Sequence, residues 1–268
     1  MEWRDEGILL WVRRHGEKNA VIEALSAEHG RHAGLVRGGA SNSVSALLQP
    51  GAQLSLEWNA RLAEHLGNYK VDLIRSRAAT IMTDRVSLAC LNVVSALLVQ
   101  FLPEREPNKQ MYSSTLDVVD ALAQQDRFWP YRYAQWELKL LEILGFGLDL
   151  SRCASTGATE DLTFVSPRSG RAVCRTAGAP FADRMLPLPS FLLGARKPQI
   201  GDVREALRMT GYFLKHWVCD AYDIQDLPES RTRLVRLLAN APPGLPDAGD
   251  GDLTESELTW LGRARTGN

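Results

Sequence analysis

The stretch Gln53-Leu54-Ser55-Leu56-Glu57-Trp58-Asn59-Ala60-Arg61-Leu62 alternates without a break. Leu54, Leu56, Trp58, Ala60 and Leu62 fall on one side, and Gln53, Ser55, Glu57, Asn59 and Arg61 on the other. That period of two marks a strand with one face in a core and the other in water. Pro50-Gly51 supplies the turn before it. Working outward, residues 7–13, 20–26 and 31–37 read as strands before it and 69–77 as one after it. Glu28-His29-Gly30 has the make-up of a hairpin turn. Gly38-Gly39 ends the third strand, and 41–48 suits a short helix or ordered loop. Five turn-punctuated strands within residues 1–78 predict a small closed β-barrel of the OB type.

Beyond 78 the apolar period changes from two to that of helices. Ile81, Leu88, Leu91, Val94, Leu98 and Phe101 suit one helix buried on most sides, stopped by Pro103. Residues 111–125 and 129–146 give two more, the latter closed by Gly145 and Gly147. A polar, Gly-rich region spans 151–180. Asp202 suits the cap of a further helix, and 229–240 forms another. The fold class is therefore α+β: a barrel domain at 1–78, then a helical domain at 79–240 interrupted by a small insertion at 151–180. Residues 241–268, rich in Gly, Asp and Pro, read as a disordered tail.

The chain has 268 residues, 45% of them hydrophobic, and a formal net charge of −1, so nucleic-acid affinity would need a local basic patch. The longest apolar run, 86–102, is interrupted by Ser87, Asn92, Ser95 and Gln100 and is too short and too polar for a membrane span. The charged N-terminus lacks a signal-peptide core, which predicts a cytoplasmic location. Four scattered cysteines suggest no disulfide framework. No phosphate-binding loop, dinucleotide fingerprint, zinc-protease helix or nucleophile elbow occurs. His29 and His32 read as exposed loop residues rather than metal ligands. Carboxylates Asp117 with Asp120, and Glu160 with Asp161, could be offered as a nuclease's metal cluster, but ordinary helix-surface acids explain them better. The expectation is a protein that is not an enzyme.

The basic residues of the barrel segment include Arg13, Arg14, Lys18, Arg31, Arg37, Arg61 and Lys70. A solvated barrel surface would account for their number, since acids nearly match them. Their placement points further. Arg13-Arg14-His15, Arg31-His32 and Arg37 stand at strand ends, which neighbouring strands would bring together into a groove that tracks phosphates. In the insertion, Cys153 and Cys174 each begin a zinc-knuckle pattern, but Thr156 and Ala177 hold the second positions. Two thiolates do not complete a tetrahedral zinc site, so no metal or other cofactor is expected.

Met1-Glu2-Trp3-Arg4-Asp5-Glu6-Gly7-Ile8-Leu9-Leu10, Glu28-His29-Gly30-Arg31, Gly34-Leu35-Val36-Arg37-Gly38-Gly39 and Leu48-Gln49-Pro50-Gly51 resemble the start of the RecO family of bacterial DNA repair and recombination mediators. The likeness continues through Glu137-Leu138, Leu141-Glu142, Leu144-Gly145-Phe146-Gly147-Leu148-Asp149 and Pro187-Leu188-Pro189-Ser190-Phe191-Leu192, over about residues 1–240. The resemblance implies an OB barrel followed by a helical domain with a zinc-ribbon-like insertion. It implies binding of single- and double-stranded DNA and annealing of complementary strands. It implies partnership with RecR and single-stranded DNA-binding protein (SSB) in loading RecA, at the nucleoid during repair. Many members carry four cysteines in the insertion, and this chain keeps two. An adaptor whose barrel binds RecR without touching DNA is the alternative reading.

The resemblance also implies that the acidic, Phe-ending tail of SSB docks on the helical domain. Such a tail needs an apolar slot and a cation. Arg132, Trp136 and Lys139 share one helical face by spacing, with Tyr133 and Leu140 beside them and Arg127 just before the helix. The plainer alternative makes Trp136 and Leu140 core, with Arg132 and Lys139 a solvated rim.

Overall fold

The computed structural model describes residues 1–194 and 200–239, and the expected tail at 241–268 lies outside them. Strands β1 (Glu2–His15), β2 (Asn19–Ser26), β3 (Gly30–Val36), β4 (Gln53–Asn59) and β5 (Asn68–Arg75) close in the order β1-β2-β3-β5-β4, with helix α1 (Asn42–Ser45) between β3 and β4. Every pairing is antiparallel except β3 with β5. This is the OB-like ring expected. Leu54, Leu56 and Trp58 are at most 2% exposed and pack with Leu9, Ile22, Val36, Leu48 and Tyr69 inside it.

The largest departures from the expected strand bounds are at the start of β1 and the end of β4. β1 begins at Glu2 rather than near 7, because its polar start pairs with the end of β4, Glu2 opposite Asn59 and Trp3 opposite Trp58. β4 stops at Asn59, where the Met1 ammonium donates to the Ala60 carbonyl at 2.8 Å and the chain turns away. Leu62, expected inside, is therefore exposed.

The first part of β3 has no β5 partner. The chain at 104–106 covers that edge: Arg31 bridges Glu104, and Arg105 N–H donates to the Arg31 carbonyl at 2.8 Å. An uncovered strand edge invites foreign pairing, and this segment removes the opportunity. Gly30, at φ +65°, sits where a Cβ would lie 2.1 Å from the Glu106 carbonyl oxygen, so no other residue fits.

Helices α2 (Ala78–Thr83), α3 (Arg85–Phe101) and α4 (Lys109–Ala123) follow. The single helix expected from 79 is two. Asp84 leaves helical geometry, and its carboxylate accepts from the N–H groups of Val86 at 3.3 Å and Ser87 at 2.8 Å. Such a cap stabilises a helix by about 1 kcal/mol. Arg77 is buried against the barrel, with Nε donating to Asp120 at 2.6 Å, Nη1 to the Gly51 carbonyl at 3.4 Å and Nη2 to Gln53 at 3.1 Å. It thereby ties α4 to the barrel. Residues Met1–Asp126 with Pro228–Leu234 form one compact unit. A division at 78 follows the change of sequence period, whereas the compact grouping keeps α2–α4 with the barrel.

Among the described residues, the second unit comprises 127–194, 200–227 and 235–239. It contains α5 (Trp129–Ile143), β6 (Leu162–Val165), β7 (Ala172–Cys174), α6 (Arg175–Gly178), β8 (Leu186–Pro187) and α7 (Ile200–Phe213), which runs into a π-helical turn at Leu214–Cys219. Helix α8 (Glu229–Ala239) crosses the division. The insertion's two strands join β8, which follows it, in a three-stranded sheet ordered β7-β6-β8. Between α5 and α7, the buried Glu137 carboxylate accepts bonds from the Tyr133 and Thr210 hydroxyls. Among the described residues, no helix is long and apolar enough to cross a membrane.

Candidate nucleic-acid interface

The barrel brings six of the seven expected cations to its surface and buries the seventh. Arg13, Arg14, Lys18, Arg37, Arg61 and Lys70 are exposed. Arg31 is not available: only 9% exposed, it donates from Nη1 to the buried Glu23 carboxylate, and its Nε donates to the Leu102 carbonyl at 2.9 Å. Glu23 also accepts from the Trp11 indole. An arginine at a strand end reads as a phosphate ligand in sequence. Here a carboxylate on β2 and the cover at 102–104 draw it inside.

Strand pairing and bonded turns bring several of the remaining cations into one row. Arg13 and Arg14 pair opposite Val21 and Ala20 in the β1–β2 hairpin, whose turn carries Lys18. That turn is bonded to the turn after β3: Ala40 N–H donates to the Lys18 carbonyl at 3.0 Å, and Gly38 N–H to the Asn19 side chain at 3.1 Å. Arg37 lies in this second turn. The parallel register, Leu35 beside Asn68 and Val36 beside Tyr69, sets Arg37 next to Lys70. Both line a groove of about 440 Å³ with Val36, Val44, Asn59 and Asn68. Arg37 Nε donates to Asn68 at 3.3 Å. The row continues across β4 and β1: Glu57 sits 3.5 Å from Lys70 and 3.2 Å from Arg4. Arg4, missed in the sequence, joins because β1 begins early and pairs Arg4 with Glu57. Arg61 follows the groove residue Asn59 by two positions. Among the described residues, Arg13, Arg14, Lys18, Arg37 and Arg61 make no ion pair.

At another part of the barrel, Trp3 stacks on His29 with centroids 4.0 Å apart, and His32 meets Trp58 edge-on at 4.8 Å. His29 Nδ1 lies 3.2 Å from Asp5. The two histidines expected as exposed loop residues are instead a half-buried ring in a stack and a buried one. Burial, with lesser help from Arg105 and His29, pulls the His32 pKa below its ordinary value.

The expected slot on α5 is not open. Tyr133, Trp136 and Leu140 are at most 1% exposed, and Tyr133 stacks on Trp136 at 5.9 Å. A foreign ring would have to displace core. The cations are placed more loosely around it: Arg132 is half-buried, Lys139 pairs with Glu142 at 3.0 Å, and the Arg127 guanidinium lies 4.9 Å from the Phe128 ring centre. Sequence spacing groups residues on a helix but does not say whether that face is inside.

In the insertion, the knuckle positions hold Cys153, Thr156, Cys174 and Ala177: two thiols, one hydroxyl and one methyl. That donor set does not fit structural zinc, which takes four nitrogen or sulfur ligands. Among the described residues no three His, Cys, Asp or Glu side chains gather as a metal site. Hydrogen bonds occupy the position instead. Cys174 N–H donates to Cys153 Sγ at 3.2 Å, and Cys174 Sγ lies 3.6 Å from the Thr156 hydroxyl and 3.4 Å from that of Thr176.

The chain matches two family models, "Recombination protein O N terminal" over residues 1–77 and "Recombination protein O C terminal" over residues 82–218. Among curated relatives, a DNA repair protein RecO of Cereibacter sphaeroides is 52% identical over 241 residues, covering 90% of this chain and 100% of the relative. The DNA repair protein RecO of a Ruegeria species is 50% identical, covering 89% and 99%. That of a Jannaschia species is 49% identical, covering 89% and 96%.

Proposed function

We propose, for a chain that belongs to the recombination protein O family of non-enzymatic DNA repair and recombination mediators, that the barrel's basic track is its DNA-binding surface. The track runs from Arg13, Arg14 and Lys18 through Arg37 and Lys70 to Arg4. It binds single- and double-stranded DNA and anneals complementary strands. The observation that carries this reading is the hydrogen-bonded union of the two turns, which makes separate strand-end cations continuous with one groove. Annealing needs two phosphate backbones screened while their bases stay free. Arginine and lysine side chains achieve that without reading bases. With RecR, the protein helps load RecA onto SSB-coated single strands, in the cytoplasm at the nucleoid. The acidic SSB tail would be met by the cations around α5, Arg127, Arg132 and Lys139, with its aromatic ring outside the filled Trp136 stack. Arg132→Ala should then weaken a labelled tail peptide roughly tenfold, since a charge-assisted bond contributes about 1.5 to 3 kcal/mol.

The test of the track is fluorescence anisotropy with labelled single strands over a range of salt. Arg14→Ala, Arg37→Ala and Lys70→Ala combined should weaken binding and flatten the log–log salt slope by about 0.7 for each phosphate no longer neutralised. Arg31 is left intact because its loss would destabilise the barrel. A variant that stays folded and binds like wild type at every salt would put the DNA surface elsewhere. No binding by the wild type would favour the protein-only adaptor.

A further inference from the structure

We propose that Cys153 and Cys174 are a peroxide-sensing thiol pair that closes into a reversible disulfide. The proposal stands apart from the DNA-binding reading. Its geometry is that of a zinc knuckle left without its second and fourth ligands. The turn after Cys153 is bonded to β7, which ends at Cys174: Ala154 N–H donates to the Ala172 carbonyl at 2.8 Å. The Cys174 backbone N–H points at Cys153 Sγ from 3.2 Å, so the Cys153 sulfur lies against the Cys174 main chain. The Thr156 hydroxyl bonds both sulfurs, lying 3.6 Å from Cys174 Sγ. Both cysteines are free thiols.

The same hydrogen bonds prepare Cys153 as the attacking atom. Burial pushes its thiol up, but the N–H groups of Cys174, Thr156 and Ser155 and the Thr156 hydroxyl outweigh that and bring it down to about 6. Thiolate is the nucleophilic form of cysteine. Cys219 offers the contrast within this chain, since burial raises it. Cys153 is 1% exposed, but the residues that follow it, 154–160, are all exposed, so hydrogen peroxide reaches the sulfur when that surface loop moves.

The chemistry balances with a hydroperoxide as oxidant. The Cys153 thiolate attacks one peroxide oxygen, the O–O bond breaks, and the leaving hydroxide takes the proton that Cys153 released, giving water and a sulfenic acid. The Cys174 sulfur then attacks Cys153 Sγ. The S–S bond forms, the S–O bond breaks, and the departing hydroxide takes the Cys174 proton as a second water. Two thiols are oxidised and one peroxide is reduced. A small dithiol reverses the step by exchange.

The experiment treats the full-length protein with dilute hydrogen peroxide, quenches it, and maps the peptides by mass spectrometry. The wild type should lose two hydrogens and yield a 153–174 cross-linked peptide that a dithiol reopens. Its formation should slow as pH falls through about 6 and level off above. Cys174→Ser should accumulate a sulfenic acid at Cys153 that dimedone captures, which needs no disulfide and reports even if the cross-link is short-lived. Cys153→Ser, checked for folding by circular dichroism, should lose both products. Wild-type protein in which Cys153 goes on to sulfinic acid while Cys174 stays reduced would overturn the proposal. So would peroxide reacting first at Cys90 or Cys219.

Discussion

Arg31 and Arg37 stand at opposite ends of β3 and have opposite fates. One side of the barrel is sealed: Glu23 on β2 turns toward Arg31, the 104–106 segment lies over the strand edge, and the pair leaves solvent. The groove side stays open because β3 there meets β5 over only two registered pairs, and Arg37 and Lys70 project past them into water. The same residue type thus holds the fold at one end and offers charge at the other. Charge count therefore does not say which cations face solvent, whereas burial and pairing do.

The sharpest way to break this contrast is Arg31→Ala. It leaves the Glu23 carboxylate buried with its charge partner gone, and losing one half of a buried pair costs about 3 to 5 kcal/mol. The urea midpoint should fall accordingly, and adding Glu23→Ala should recover part of the loss. Arg37→Ala should hardly move the midpoint, because exposed side chains away from buried networks contribute within about 0.5 kcal/mol. A stable Arg31→Ala protein with weakened DNA binding would reverse the roles assigned to the two ends.

A gentler test works inside the groove. Glu57 is the acid that pairs with two cations of the row, 3.2 Å from Arg4 and 3.5 Å from Lys70. Exposed pairs of this kind are worth about 0.2 to 1 kcal/mol. Glu57→Gln should therefore cost little stability, release both cations to phosphate and remove from the track a negative charge that repels phosphate. DNA affinity should rise a few-fold, with a steeper salt dependence. Unchanged affinity would mean that strands do not cross the Arg4 side of the groove.

The difference between the two ends was half visible in the sequence. The β4 alternation showed the barrel, since Leu54, Leu56 and Trp58 need only a local pattern. The start of β1 was hidden because Glu2 and Arg4 carry no alternation and gain strand form only from pairing with β4. The break at Asp84 was masked by apolar residues running through it, although an aspartate three positions before Ser87 is a capping signal. Arg31 was misplaced for a similar reason. Its partner Glu23 stands as a single acid within Ala20-Val21-Ile22-Glu23-Ala24-Leu25, and a lone carboxylate in an apolar strand asks for a buried cation. The groove itself was not legible, because the parallel β3–β5 pairing and the bonded turns that make it join residues far apart in the chain.

The smallest effect concerns pH and separates the ends once more. His32 is buried against Trp58, and its pKa lies below the ordinary 6.5 because burial, then Arg105 and His29, disfavour its charge, while its bond to the Ala33 carbonyl and Glu104 act the other way. The unfolded chain accepts that proton near 6.5 and the folded chain resists it. Stability is therefore complete above about 6.5 and declines as pH falls toward the folded value, below which the loss is complete. Asp5 belongs to a lower window: burial would raise it, but bonds from His29 and the Glu28 and Glu6 N–H groups outweigh that, so its contribution is lost only as pH falls below 3.8. His32→Phe keeps an aromatic ring beside Trp58 and should flatten the upper limb of a urea-midpoint profile while leaving the lower one. The groove is lined by no histidine, so DNA affinity should stay level across the upper window. A wild-type midpoint that holds flat from neutral pH down through that window would show that the buried ring contributes nothing to it. DNA affinity falling in step with the midpoint would show that the sealed end and the groove act together.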